Sequence, residues 1–379
     1  MRRSTGILIL NSISSYLAAL SPRRGIQSTA HSHFTAVVVS VCLTGGAVLA
    51  QPHQQTTQPT LLTLAANEIL KRQAKDGAIT MGVRGDGGTH VEPYFANLAA
   101  IGLTRAYTVT HNSADCDAVK RWLTWYAKHM NKSGVMDDYA GAAGRWVSTH
   151  THDSVDSYAA TYIDAVYREF LVTNDRKWLA QQYPYVHLAI HAVASVITPT
   201  GLTIAKPSYA IMYTMDNVET LRGLQSAHNI AVALRHPGVA SYTGKLAMTM
   251  WAAIGKYLWL SGEAAYAVAM APDRTITSGL SSWYPDIMAN LLAIAWLPKS
   301  HERTQLFHRL YTAHSTSIPL VVNTESGLET VLWWAMAARE CGNHAVFAQL
   351  VTKLNAASAY LRHVQNTALL GHVCRIAPS

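Results

Sequence analysis

The feature that most constrains this chain is a procession of helix-length segments in which every second member is apolar on all sides. Residues 97–103 read Asn-Leu-Ala-Ala-Ile-Gly-Leu, and 287–296 read Ile-Met-Ala-Asn-Leu-Leu-Ala-Ile-Ala-Trp. A surface helix buries one stripe, so a helix without a polar face must be surrounded by protein. Helical patterns punctuated by Gly, Pro, Asp and Asn fall at 60–75, 92–111, 115–131, 154–173, 175–197, 216–235 and 239–260. Four more fall at 284–297, 300–314, 325–341 and 343–364. They pair as hairpins whose apolar second members begin near Glu92, Val155, Asn217, Tyr284 and Ser326, mostly about sixty residues apart. An inner ring of buried helices inside an outer amphipathic ring predicts an all-α fold, an (α/α)6 toroid. Eleven helices are legible where six hairpins need twelve, so the last inner element is expected within 364–373. One segment breaks the helical pattern: 201–214 reads as extended chain with a turn, a small hairpin placed over the barrel mouth.

The chain is 49% hydrophobic and 14% charged, which excludes a disordered body. Its formal charge of +8 includes Arg2, Arg3, Arg23 and Arg24 near the start, and no run of five basic residues occurs, which argues against nucleic acid as a partner. Those arginines precede an apolar run, 35–50, that ends in Val-Leu-Ala before Gln51. This reads as an export leader over 1–50, with a membrane anchor as the alternative, followed by a polar linker over 51–59 and one barrel domain over 60–379. The expected location is periplasmic or secreted, with no stable membrane insertion once the leader is removed. Beyond the leader stand Cys116, Cys341 and Cys374, without CxxC or Cys/His spacing, so no structural zinc is implied. Cys341 and Cys374 read equally as a disulfide or as buried thiols. The glycine-rich stretch 82–88 lacks the strand, helix and Lys-Ser/Thr ending of a phosphate loop and reads as a flexible loop near the cleft. His150 and His152 are two alternate loop residues, too few for a metal site. No metal or cofactor is expected. The Trp122/Trp125 and Trp333/Trp334 pairs lie mid-helix and are assigned to the core.

Polar and aromatic residues gather at the starts of the expected inner helices: Glu92 and Tyr94; Asp153, Asp156 and Tyr158; Asp216, Asn217 and Glu219; Trp283, Tyr284 and Asp286; and Glu325. In a hairpin ring all inner helices point the same way, so these clusters surround one opening. Asp, Ser, Thr and Asn also cap helices, and Pro belongs in a first turn. Capping accounts for neither the aromatic rings nor the carboxylate pairs Asp153/Asp156 and Asp216/Glu219.

Two segments carry a resemblance. Thr-Gly-Leu-Thr-Ile-Ala-Lys-Pro at 200–207 and Tyr-Thr-Met-Asp-Asn-Val-Glu-Thr-Leu-Arg-Gly-Leu at 213–224 resemble bacterial members of the six-hairpin glycosidase superfamily, as do the helix start at 153–160 and the turn at 76–79. The likeness spans about residues 60–345 and departs from the pattern at Thr200, where Asp or Asn is common. It implies a carbohydrate-active enzyme, a glycoside hydrolase of no assigned family, acting on an oligosaccharide or polysaccharide.

Glycoside hydrolysis needs one carboxylic acid for the leaving oxygen and one carboxylate to activate water or attack the sugar. Asp156 and Asp216 are the expected pair, with Asp153 beside them. A carboxylate neighbour raises the pKa of an acid, which favours Asp156 next to Asp153 for that role. Glu92, Tyr94, Tyr158, Asn217, Glu219, Trp283, Tyr284, Asp286 and Glu325 are the expected substrate contacts. Two other readings stay open. One is a polysaccharide lyase using Tyr94, His152, Tyr158 and Asn217, and the other a glycan-binding protein without chemistry. The leader reading makes one prediction: protein recovered from its producing cell begins near Gln51, and mass spectrometry finding an intact leader overturns it.

Overall fold

The computed structural model of the protein describes residues 60–82 and 89–377. The expected leader, the linker and most of the glycine-rich loop lie outside the described residues. Among the described residues there are twelve α-helices. The outer ones are α1 (Leu61–Lys71), α3 (Ser113–His129), α5 (Arg176–Ser195), α7 (Pro237–Ala253), α9 (His301–His314) and α11 (His344–Ala356). The inner ones are α2 (Pro93–Thr110), α4 (Asp156–Thr173), α6 (Thr214–Ala233), α8 (Met288–Trp296), α10 (Glu325–Glu340) and α12 (Thr367–Ile376). Each inner helix packs on the next, and α12 closes the ring on α2. The fold is the (α/α)6 toroid, and the twelfth helix lies where the hairpin count requires it.

Closure depends on backbones coming close. A Cβ on Gly102 of α2 would sit 2.4 Å from the Cα of Gly371 on α12, and one on Gly371 would sit 2.4 Å from the carbonyl oxygen of Leu98. A Cβ on Gly223 of α6 would lie 2.6 Å from the Cα of Ala160 on α4. The obstacles are main-chain atoms, which cannot rotate away. Small residues at these crossings let long apolar helices pack closely along their length. Trp122, Trp333 and Trp334 are buried, as expected for the core.

Three helices end earlier or begin differently than their patterns suggest. The helix expected to reach 260 stops at Ala253, and a wide turn over Ile254–Leu258 leads into the strand Trp259–Leu260. The stretch after Ala356 tightens into the 3-10 turn Ser358–His363. Helix α8 is preceded by a wide turn over Trp283–Ile287, in which Tyr284 has extended backbone angles. The expected hairpin near 201–214 is a turn bridged between Lys206 and Tyr209, with Met212–Tyr213 pairing to Ala269–Met270 and that strand to Ile276–Thr277. A second antiparallel sheet joins Thr89–Val91, Tyr139–Ala142 and Arg145–Ser148. Strands of two to four residues are too short to show alternation, so this sheet leaves no trace in the sequence pattern. Both three-stranded sheets lead into inner helices and stand at the same mouth.

The disulfide option is corrected: Cys116, Cys341 and Cys374 are free thiols. Among the described residues no helix is long and apolar enough to cross a membrane, and no group of three or more His, Cys, Asp or Glu is arranged to hold a metal ion.

Replacing Gly102 with Ala gains helix propensity of about 1 kcal/mol but overpacks a backbone crossing at a cost of about 1–3 kcal/mol, so Gly102→Ala is expected to be net destabilising by up to about 2 kcal/mol. Gly238, at the start of α7, has nothing within 4 Å of an added Cβ, and Gly238→Ala is expected to be neutral or stabilising. Urea unfolding of both variants checks the difference, and equal stabilities contradict the closure argument.

Candidate functional site

The starts of all six inner helices converge on one mouth and enclose a cleft of about 440 Å3. From α2 comes Tyr94, with Glu92 just before it; α4 supplies Ser157 and Tyr158, with Asp153 before it; α6 supplies Asp216 and Glu219. Tyr284 and Met288 stand at the start of α8, Glu329 one turn into α10, and Asn366 at the cap of α12. Asp138 reaches in from the loop before the second sheet. The lining therefore holds six carboxyl groups, from Glu92, Asp138, Asp153, Asp216, Glu219 and Glu329, and no Lys or Arg among the described residues.

These carboxyl groups are not there to cap helices. The cap positions of α2, α4 and α6 are Glu92, Val155 and Tyr213, and none makes a side-chain cap bond. On the far side Thr324 and Asn366 cap α10 and α12 in the ordinary way. The uncapped ends direct their backbone N–H groups and positive dipole ends towards the carboxylates of the cleft.

Burial and mutual repulsion govern the charge state. Asp216 is pushed well above the usual carboxylate range, first by loss of solvent and then by the negative charges of Asp156, Glu219 and Asp153. Asp156 is wholly buried and pushed up to about 7 by loss of solvent. Its Oδ1 accepts a bond from the Ser157 amide at 2.8 Å. Glu219, pushed up to about 7 by burial, accepts the Tyr94 hydroxyl. Asp138 is pushed up to about 6 by burial and accepts the Tyr158 hydroxyl at 2.9 Å. Glu329 is also raised, chiefly by burial, and receives the Trp283 indole N–H at 3.4 Å. The Tyr94 and Tyr158 rings lie near parallel, with centroids 6.2 Å apart, and Tyr284 is 63% exposed at the rim.

The structure brings Glu92, Tyr94, Asp153, Tyr158, Asp216, Glu219 and Tyr284 together in the cleft, but not every residue expected there. Asp156 lies behind the wall, buried, where no substrate reaches it. Asn217 is also fully buried: it accepts the Thr203 amide at 2.8 Å and donates to the carbonyls of Thr203 and Tyr213, which ties the extended segment to α6. Its helical spacing from Asp216 turns it to the other side. Asp286 accepts the backbone amides of Ser281 and Ser282, and Glu325 those of Gln365 and Asn366, so both carboxylates fasten loops. Trp283 meets the site through Glu329. His152 is held by Asp137 at 3.1 Å.

Asp138 and Glu329 are the cleft residues that reasoning from helix starts overlooks. Glu329 sits one turn beyond Glu325, and its spacing was the available signal: positions four apart share a helix face. Asp138 lies in irregular chain, and no pattern marks it.

No family model and no curated protein matches this sequence. Solved structures do match. A rhamnosidase from Klebsiella oxytoca with rhamnose bound has 15% identity and a TM-score of 0.56, over 80% of this chain and 56% of that one. The GH63 mannosylglycerate hydrolase from Thermus thermophilus in complex with glucose has 11% identity and a TM-score of 0.54, over 76% and 89%. An α-amylase from Clostridium perfringens has 11% identity and a TM-score of 0.54, over 84% and 98%. The chain thus spans 56% of the length of the rhamnosidase. At these identities the likeness is one of fold: the chain has the six-hairpin glycosidase-like fold.

The raised carboxyl groups link stability to pH. A buried carboxyl whose folded pKa exceeds its unfolded value stabilises the protein fully below the unfolded pKa, and that contribution is lost as pH rises through the folded one. For Asp156 and Glu219 the window runs from about 4 to about 7. The melting temperature is expected to fall across that range, and Asp156→Asn, which keeps the acceptor for Ser157, to flatten the fall. Calorimetry at several pH values checks this, and an equal slope in the variant contradicts the assignment.

Proposed function

We propose that the protein is a glycoside hydrolase acting on a neutral glycan outside the cytoplasm. The observation that carries this reading is the cleft lining: six carboxyl groups without a Lys or Arg among the described residues, one of them, Asp216, pushed well above the usual carboxylate range by burial and by its acidic neighbours, which favours its protonated form. A protonated carboxyl at neutral pH is what a general acid requires. Asp216 is assigned to protonate the leaving oxygen. Glu329 enters from α10, two inner helices away around the ring, and is assigned as the base that activates water. Tyr94, Tyr158 and Tyr284 offer ring faces and hydroxyls to the sugar. Asp156, which the substrate cannot reach, acts through Asp216 by keeping its proton on. The acceptor-rich lining suits hydroxyl donors and repels an anionic sugar. The location outside the cytoplasm rests on the apolar run at 35–50.

The lyase reading fits the geometry poorly. A lyase binds a uronate and needs a cation or an amide to offset its carboxylate, whereas Asn217 is buried and Asn366, which caps α12, shares the lining with six carboxyl groups that repel a uronate. Tyr94 and Tyr158 are both shifted upward by burial and by carboxylates, away from the pKa of a useful base.

A panel of neutral and acidic glycans assayed for new reducing ends and for ultraviolet-absorbing unsaturated products separates the two chemistries. On the substrate so found, Asp216→Asn and Glu329→Gln are each expected to lower kcat by about a hundredfold or more, with folding retained. Unchanged kcat in both variants removes the assignment. The pH profile is expected to be bell-shaped, rising as Glu329 loses its proton above its ordinary value of 4.5 and falling as Asp216 loses its own. Asp156→Asn removes a charge that holds that proton, so its basic limb moves to lower pH.

A further inference from the structure

The aromatic surface of the acidic cleft continues past the residues that enclose the cavity. Tyr209 and Tyr213 stand at the lip beside α6, with hydroxyl oxygens 2.8 Å apart and ring centroids 6.2 Å apart at 34°. Tyr213 is the residue just before α6, which brings Met215 and Asp216 into the cleft within its first turn. The Tyr284 hydroxyl is raised by loss of solvent and then by Asp216, Asp153, Glu329 and Tyr209, so all four stand within electrostatic reach of it. Tyr209, Tyr213 and Tyr284 thus make one aromatic lip that starts at Asp216 and runs outward.

Single exposed aromatic residues on a surface need no explanation. These differ because the chain fastens them. The turn that carries Tyr209 is closed by backbone bonds in both directions between Lys206 and Tyr209. The Lys206 ammonium donates to the carbonyl of His152, next to Asp153 in the cleft. The Ala205 carbonyl takes the Val155 amide at 2.6 Å, and the Ala205 amide donates to Ile211 at 2.9 Å. Met212–Tyr213 is paired to Ala269–Met270, and Asn217 holds the Tyr213 carbonyl. A ring on so fixed a backbone has less freedom to lose when a ligand stacks on it, and tyrosine offers an apolar face with a polar tip. The Tyr94 and Tyr158 hydroxyls are committed to Glu219 and Asp138. The Tyr209 and Tyr213 hydroxyls meet only each other among the hydrogen bonds of the lip, which leaves the pair one proton to donate and lone pairs to accept.

The two sets of rings lie on different sides of the acid. Tyr158 is buried in the wall, whereas Tyr209 is 47% exposed beyond it. We propose that Tyr209, Tyr213 and Tyr284 form a subsite for the leaving group, that this leaving group is itself a sugar residue, and that Tyr209 is a specificity-determining residue. The proposal rests on the hydrolase reading above, in which Asp216 protonates the oxygen between the two sugars. Cleavage of the anomeric C–O bond sends its electron pair to that oxygen, which takes the Asp216 proton. Water adds its oxygen to the anomeric carbon and gives a proton to Glu329. The released sugar then leaves across the lip.

The test compares the neutral oligosaccharide that the protein hydrolyses with the glycosyl fluoride of the same glycone, whose leaving fluoride neither covers the lip nor needs a proton. Tyr209→Ala is expected to raise KM for the oligosaccharide about tenfold, the scale of one stacking contact with its hydrogen bond, and to act far less on the fluoride. Tyr209→Phe keeps the ring and is expected to recover most of the loss. Tyr242→Ala removes an equally exposed ring, 46% accessible on the outer helix α7, and is expected to leave both substrates unaffected. Circular dichroism and melting temperature confirm that the variants are folded. An unchanged KM in Tyr209→Ala, or an equal rise for both substrates, overturns the proposal alone. Asp216→Asn reports separately on the hydrolase reading: it is expected to lose the oligosaccharide and keep the fluoride, and full turnover of the oligosaccharide overturns that reading. Absence of hydrolysis of any glycan overturns both.

Discussion

Everything in this molecule depends on inner helices approaching one another closely enough to close a ring. The contact between Gly102 and Gly371 joins the first inner helix to the last, across almost the whole length of the folded chain. Were either to carry a Cβ, α12 would have to move away from α2, and the sixth helix would no longer hold its start, with Asn366, at the cleft. The crossing of Gly223 and Ala160 does the same for α4 and α6, whose starts place Asp153, Asp216 and Glu219 in the acidic wall. Packing interiors tolerate neither voids nor overlap, so these contacts set the width of the barrel and with it the spacing of the site.

A ring of hairpins also forces a polarity. Because the inner helices are parallel, their positive dipole ends share one mouth and their negative ends the other. The chain matches this with carboxyl groups at the first mouth and guanidinium groups at the second. The match is not mere neutralisation, since at the acidic mouth burial and crowding raise carboxyl pKa values despite the favourable dipoles. Desolvation outweighs the dipole there.

Buried polar residues behind the wall give the cleft its stiffness. Asn97 donates to the Tyr158 carbonyl and to Thr161, and accepts the Trp122 indole N–H, tying α2, α3 and α4 together one turn below the site. Asn217 performs the same office for the extended segment. Such fully bonded amides fix backbone positions in a way that apolar contacts, being non-directional, do not.

The sequence by itself determined the helices, their pairing and their common mouth. All-round apolarity in every second helix admits only an inner ring, and the arithmetic of hairpins located a twelfth helix that its own pattern barely shows. It also placed Glu92, Tyr94, Asp153, Tyr158, Asp216, Glu219 and Tyr284 in one region, because helix starts in a parallel ring coincide. What it left undecided was which side of each start faces the cleft. Asp156 and Asn217 sit in first turns like Asp216, yet rotation about the helix axis buries both. Asp138 and Glu329 enter the cleft from a loop and from a second turn, where position relative to a helix start says nothing about the opening. Helix rotation and loop path are fixed by contacts between residues far apart in the chain, and only the tertiary structure contains those.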